Sequence, residues 1–234
     1  MAETDRAPLD IEVRRLGRVR YDRAVELQEA LIARRRDGVI PDQLLFLEHP
    51  HVITMGSGAK VEHVLADAAT RERMGVALVR SGRGGDVTYH GPGQLIGYPI
   101  LDLKPDRQDL HQYLRDLEEV LLRVVSGYGV EGRRTEGRTG VWTEEGKVAA
   151  IGIRVSSGWI TSHGFALNVA PDLSFFRAIV PCGLADQRVT SLEHLLGRAV
   201  SIDNVMDRTS VAFGDVFGRT VRAASESIPP EFVR

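Results

Sequence analysis

The sequence predicts an α+β fold, a mixed and largely antiparallel β-sheet flanked by helices, carried by residues 1–234 as a single domain. Two apolar stretches with helical period flank segments of strand character, and a strand–turn–strand–turn–strand run fills residues 141–169. That run breaks the regular alternation of strand and helix expected of a doubly wound nucleotide fold. No repeat, low-complexity run or Pro/Gly/Ser-rich linker divides the chain.

After a short polar lead, Tyr21, Ala24, Val25, Gln28, Leu31 and Ile32 recur at helical spacing and end in Arg34–Arg36 and Gly38, so a first helix is expected there. Gln43–Glu48 and Val52–Met55 read as two strands interrupted by His49, Pro50 and His51. Val76–Val79 reads as a short buried strand that feeds a glycine-rich loop from Ser81 to Gln94, and Leu95–Leu103 as the strand beyond it.

Leu110, Tyr113, Leu114, Leu117, Val120, Leu121, Val124 and Val125 follow one helix face, with Gly127 as the stop. Val141–Val155 and Trp159–Val169, with turns at 144–146 and 156–158, give three antiparallel strands. Thr190 and Glu193 form a capping-box pattern before Leu192, Leu195 and Leu196. Ile202–Val221 reads as a last amphipathic helix, and residues 1–10 and 228–234 as flexible ends.

With 43% hydrophobic and 26% charged residues, the chain can bury a sizeable core. A formal net charge of -2 gives no basic footprint for nucleic acid, and no stretch reaches the length of a membrane span. The N-terminus lacks the apolar core of a secretory signal. One cysteine forms no intramolecular disulfide and no zinc pair, so a cytoplasmic location is expected. His49 and His51 lack a third ligand nearby in sequence, and no metal site is expected.

Three features carry chemistry. The stretch from Arg83 to Gln94 packs glycine and proline among polar and aromatic groups and reads either as a surface turn or as a loop that presses its N–H groups on a ligand; it has neither the P-loop nor the GxGxxG pattern. Cys182, between Pro181 and Gly183, is either a small buried hydrophobe or a loop thiol, a nucleophile if a cation lies close. Only three lysines, Lys60, Lys104 and Lys147, stand among 30 basic residues. Lys147 opens an apolar strand, where it is either a guard against edge pairing or a partly desolvated amine of lowered pKa, fit to act as acid or base. His90 and His163 are structural hydrogen-bonded residues or partners of the thiol.

Arg83-Gly84-Gly85, Thr88-Tyr89-His90, Gly93-Gln94 and Tyr98, then Gly146-Lys147-Val148-Ala149-Ala150-Ile151-Gly152, His163-Gly164-Phe165-Ala166-Leu167-Asn168-Val169 and Ile179-Val180-Pro181-Cys182-Gly183-Leu184, together resemble the lipoyl(octanoyl) transferase family. The likeness covers roughly Leu44 to Leu196. It implies a catalytic domain similar to that of biotin protein ligases and lipoate ligases. It implies transfer of an octanoyl group from acyl-carrier protein to a lysine of lipoyl domains in 2-oxoacid dehydrogenase complexes and the glycine cleavage H protein, with no cofactor.

Carried over by position, the acyl-accepting cysteine falls on Cys182 and its partner lysine on Lys147. Substrate contacts fall on Arg83, Gly84, Gly85, Asp86, Val87, Thr88, Tyr89 and His90, on Ala150, Ile151 and Gly152, and on Gly164, Phe165 and Ala166, with His163 as an orienting residue. Arg133, Arg134 and Arg138 lie outside the pattern and offer a positive surface to an acidic carrier. Two rival readings are an ATP-dependent lipoate or biotin ligase, which needs no Cys182, and a non-catalytic acyl-binding module.

Overall fold

A computed structural model describes residues 9–180 and 188–225. In chain order it contains β1 (Leu9–Arg18), α1 (Tyr21–Arg36), β2 (Asp42–Glu48), β3 (Val52–Met55), α2 (Ala68–Met74), β4 (Ala77–Arg80), β5 (Val87–His90) and β6 (Gln94–Ile100). There follow α3 (Leu110–Ser126), β7 (Arg133–Thr135), β8 (Arg138–Thr143), β9 (Gly146–Val155), β10 (Thr161–Asn168), α4 (Leu192–Leu196), α5 (Ile202–Phe217) and β11 (Arg219–Ala223).

Eight strands form one mixed sheet in the order β11-β1-β2-β6-β10-β9-β8-β7, and β4-β3-β5 form a second. From β2 through β7 the large sheet is antiparallel, while β1 runs parallel to both β2 and β11. The expected α+β class with a mixed, largely antiparallel sheet is what forms.

The apolar face of α3, including Tyr113, Leu117, Val120, Leu121, Val124 and Val125, is buried with Phe213 and Phe217 of α5 in the largest core cluster. Each such side chain contributes about 1.5–3 kcal/mol. Asp109 starts α3 by accepting the N–H groups of His111 and Gln112. Leu27 and Leu31 of α1 belong to a second cluster with Leu45, Leu47, Ile96 and Ile100, and the small sheet packs a third around Tyr89, Ile53 and Phe176.

Several expectations are corrected. Residues 9–18 form a full strand, so Leu9 and Asp10, expected to be flexible, pair with Arg219 and Thr220. The short strand after Val76 is an edge strand of exposed and half-buried residues rather than a buried one. The glycine-rich stretch is not all loop, because Val87–His90 pairs with β3. Ser191 rather than Thr190 caps α4, accepting from His194 N–H. The last helix ends at Gly218, in the left-handed conformation, and Val221 lies in β11 opposite Ile11. Residues 1–8 and 228–234 lie outside the described residues, as does Cys182.

Candidate active site

Adjacent strands bring two separate blocks of sequence into register. β10 lies antiparallel to β9 with Ala166 opposite Ala150, Phe165 opposite Ile151 and Gly164 opposite Gly152. On its other edge β10 pairs with β6, where Phe165 faces Gly97. Close packing explains the glycines: a Cβ on Gly164 would stand 2.2 Å from the Gly97 carbonyl oxygen, and one on Gly97 would stand 2.1 Å from the Phe165 ring.

The glycine-rich segment crosses this surface from the small sheet. Arg83 is buried, and its guanidinium donates to the Thr54 carbonyl at 2.7 Å and to Thr54 Oγ1 at 2.8 Å. Gly84 N–H donates to the Ile153 carbonyl at 2.8 Å, which ties the segment to β9. Gly152 leaves the room for that crossing, since a Cβ there would stand 3.1 Å from both Arg83 Cδ and the Gly84 oxygen.

Between these elements lies a cavity of about 240 Å³. Its wall takes Arg83, Gly85, Asp86, Val87, Thr88 and His90 from the glycine-rich segment. Lys147, Ala150, Ile151 and Gly152 come from β9, and His163, Gly164, Phe165 and Ala166 from β10. Gly84 and Tyr89 are not in the wall; the Tyr89 ring lies in the small sheet's core, and its hydroxyl meets His51 Nδ1 at 2.7 Å.

Sequence reasoning had not placed six other positions in the wall, Gly137 and Thr139 among them. Tyr21 and Tyr98 come from α1 and β6, and Arg138 and Trp142 from β8. Tyr98 was visible only within the family motif, and Trp142 next to the hairpin had no local signal. Of the arginines first read as a carrier surface, Arg134 is ion-paired with Glu118 and Glu119, whereas Arg138 reaches the cavity wall.

The histidines in and behind the wall are neutral. Burial holds His49 at a pKa of about 4, and its Nδ1–H donates to the Val19 carbonyl while Nε2 accepts from Tyr98. Burial, then Arg83 and Arg154, holds His163 at about 4. Burial, helped by His49 and Arg83, keeps His90 well below the ordinary range. His163 adopts φ of 57°, and its Nδ1 is buried without a hydrogen-bond partner.

One hydrogen-bonded chain links the motifs. His90 Nδ1 meets Gln94 Oε1 at 3.2 Å, Gln94 Nε2 donates to Asn168 Oδ1 at 2.9 Å, and Asn168 Nδ2 donates to the Thr190 carbonyl at 2.9 Å. Thr190 N–H in turn donates to the Lys147 carbonyl, and Lys147 N–H to the Arg188 carbonyl. The chain that follows Cys182 in sequence thus returns alongside Lys147. On the other side of Cys182, Val180 N–H donates to the His63 carbonyl at 2.7 Å, and His63 Nδ1 meets Asp86 Oδ2 at 2.6 Å.

The wall therefore combines small and apolar side chains with the guanidinium groups of Arg83 and Arg138 and the amine of Lys147, an arrangement suited to an acyl chain with a polar head. Among the described residues no cluster of three or more His, Cys, Asp or Glu could hold a metal ion, and no helix is long and apolar enough to cross a membrane.

Residues 20–214 match the lipoyl protein ligase A/B catalytic domain. An octanoyltransferase of Rubrobacter xylanophilus is 51% identical over 218 residues, which cover 92% of this chain and 97% of the relative. One of Solibacter usitatus is 50% identical over 205 residues, covering 88% and 92%. Among solved structures, a bipartite lipoate protein ligase with its E2 lipoyl domain from Thermoplasma acidophilum superposes with a TM-score of 0.74 at 19% identity, covering 96% of this chain and 89% of that one. A biotin protein ligase of Aquifex aeolicus, in complex with biotin and ATP, gives 0.53 at 14% identity, covering 88% and 70%. The expected likeness of fold to both ligase types is present.

Proposed function

The chain belongs to the lipoyl protein ligase A/B catalytic-domain family, and we propose that within it the protein is an octanoyltransferase that holds the acyl group on Cys182 between donor and acceptor. The relatives of about half identity are octanoyltransferases. The observation that supports the residue assignment is the backbone pairing of Lys147 with Arg188 and Thr190, which brings the chain just after Cys182 to the strand that carries the lysine at the cavity wall.

In the first half-reaction the Cys182 thiol passes its proton to Lys147 Nζ, and the sulfur attacks the carbonyl carbon of an octanoyl thioester on acyl-carrier protein. The tetrahedral intermediate collapses by breaking the bond to the carrier sulfur, which leaves as a thiol after taking the proton back. In the second, the amine of a target lysine on a lipoyl domain attacks the enzyme thioester, loses its proton to Lys147 and expels the Cys182 sulfur, which takes that proton from Lys147 and is again a thiol. One thioester replaces another at nearly equal energy, and the final amide lies downhill, so transfer needs no ATP.

The apolar wall of Ala150, Ile151, Phe165 and Ala166 takes the octanoyl chain, and the glycine-rich segment covers it. Lipoyl domains of 2-oxoacid dehydrogenase complexes and the glycine cleavage H protein serve as acceptors. The work is done in the cytoplasm, where a thiol nucleophile stays reduced.

Intact-mass spectrometry after incubation with octanoyl-carrier protein and no ATP tests this reading. A hydroxylamine-labile octanoyl adduct is expected on the native protein and absent from Cys182→Ala. If the native protein carries no adduct while an added lipoyl domain is still modified, the Cys182 intermediate is wrong. Activity that instead requires ATP and survives Cys182→Ala identifies a ligase.

A further inference from the structure

We propose that Trp142 is a positioning residue for Lys147: its ring fixes the lysine amine at the cavity wall and stabilises the positive charge that arrives there when the thiol gives up its proton. The proposal rests on the reading above, in which Lys147 Nζ receives that proton.

The lysine stem lies in a slot made by its neighbouring strand. Trp142 and Lys147 are register partners across β8 and β9. Gly140, two residues before Trp142, has φ of 118°, and a Cβ there would stand 2.4 Å from the Ala149 oxygen and 3.1 Å from Lys147 Cε. The approach to the Ala149 backbone and the positive φ require glycine here, and a Cβ would also crowd the lysine stem. Gly140 is itself anchored, because its N–H donates at 3.0 Å to Oε1 of Glu118, a fully buried carboxylate that also pairs with Arg115 and Arg134.

At the end of this slot Lys147 Nζ sits 4.7 Å from the centroid of the Trp142 ring. That is within cation–π range, and the ring is almost wholly buried, so water competes weakly with the attraction. The ring thus favours the ammonium form, the state reached when the proton leaves the Cys182 sulfur for the Nζ lone pair. Arg138 approaches the same ring, its Cζ 5.7 Å from the centroid, and its fixed charge opposes a second cation nearby. Ring and guanidinium push the lysine in opposite directions, which suits an amine that must take up a proton and give it back within one turnover.

The test reads the titration of Lys147 directly. With only Lys60, Lys104 and Lys147 in the chain, protein labelled with ¹³Cε-lysine gives three resonances, and Lys147→Arg assigns the one of interest. Biosynthetic fluorotryptophans enter only at Trp142 and Trp159 and weaken the ring's attraction for cations with little change of shape. The Lys147 midpoint is expected to fall stepwise with fluorination, by about 0.4 to 1.5 pH units at the limit.

Trp142→Leu should move the midpoint in the same direction, and Arg138→Gln should raise it. A midpoint that fluorination leaves in place overturns the proposal, because a purely structural tryptophan would behave in that way. The titration needs no turnover, so its outcome is independent of whether an adduct forms on Cys182.

Discussion

Gln28 of α1 accepts the backbone N–H of His163 at 2.7 Å, both residues being buried. This bond joins the helix to a residue of β10 that holds a left-handed backbone next to the cavity. Gln28 Nε2 donates to the Ala24 carbonyl, so its carbonyl end is fixed toward His163. Replacing Gln28 by leucine leaves that N–H buried with no acceptor. We expect Gln28→Leu to lower the unfolding free energy by about 1–3 kcal/mol in urea titration, and a change within error would mean that the bond contributes little.

The same backbone strain separates two replacements of His163. Both His163→Ala and His163→Gly remove the ring, but only glycine adopts φ of 57° without steric cost. The glycine variant is expected to be the more stable by about 1–2 kcal/mol. Paired denaturation curves decide it, and an alanine variant of equal or greater stability would show that the backbone relaxes.

Buried neutral histidines give the protein a stability that depends on pH. The folded pKa values of His49 and His163 are about 4, below the ordinary value of 6.5. Between those limits the unfolded chain binds protons that the folded chain refuses. Their contribution is complete above pH 6.5 and is lost as pH falls toward 4, with a slope of up to about 1.4 kcal/mol per pH unit for each histidine. Unfolding free energies measured from pH 7.5 to 5 should decline, and His163→Gly should decline less steeply. A flat native profile contradicts the assignment.

Gly97 and Gly164 are expected to differ in what alanine does there. The obstacle at Gly164 is the Gly97 carbonyl, which is backbone and cannot swing aside, so Gly164→Ala should fold poorly or be destabilised by more than about 3 kcal/mol. The obstacle at Gly97 is the Phe165 ring, part of the cavity wall. Gly97→Ala should push that ring into the cavity, and on the proposed function it should reduce kcat/KM for an octanoyl carrier more than for a butanoyl one. An unchanged ratio would show that the ring moves away from the cavity.

The elements read correctly from sequence are those whose signal is local. The α3 stripe from Tyr113 to Val125 repeats at helical period, and glycine-bearing turns separate β8, β9 and β10. β1 was missed because Arg14 and Arg15 interrupt its alternation, and its pairing with β11 joins residues about 200 positions apart. The helical pattern of the last helix overruns its end because the apolar residues continue past Gly218 into β11, where Val221 faces Ile11.

By itself the sequence determined the α+β class and the motif blocks, because turns, periodicity and motif spacing are properties of neighbouring residues. Only the tertiary structure decided that Ala150 and Ala166 meet in register, that Tyr89 leaves the cavity for a core of its own, and that Tyr21, Tyr98, Arg138 and Trp142 line the wall. It also decided that the lysine stem runs over Gly140 to the Trp142 ring. These relationships depend on strand register and on contacts between distant elements, and a linear pattern carries no record of which face a distant partner will present.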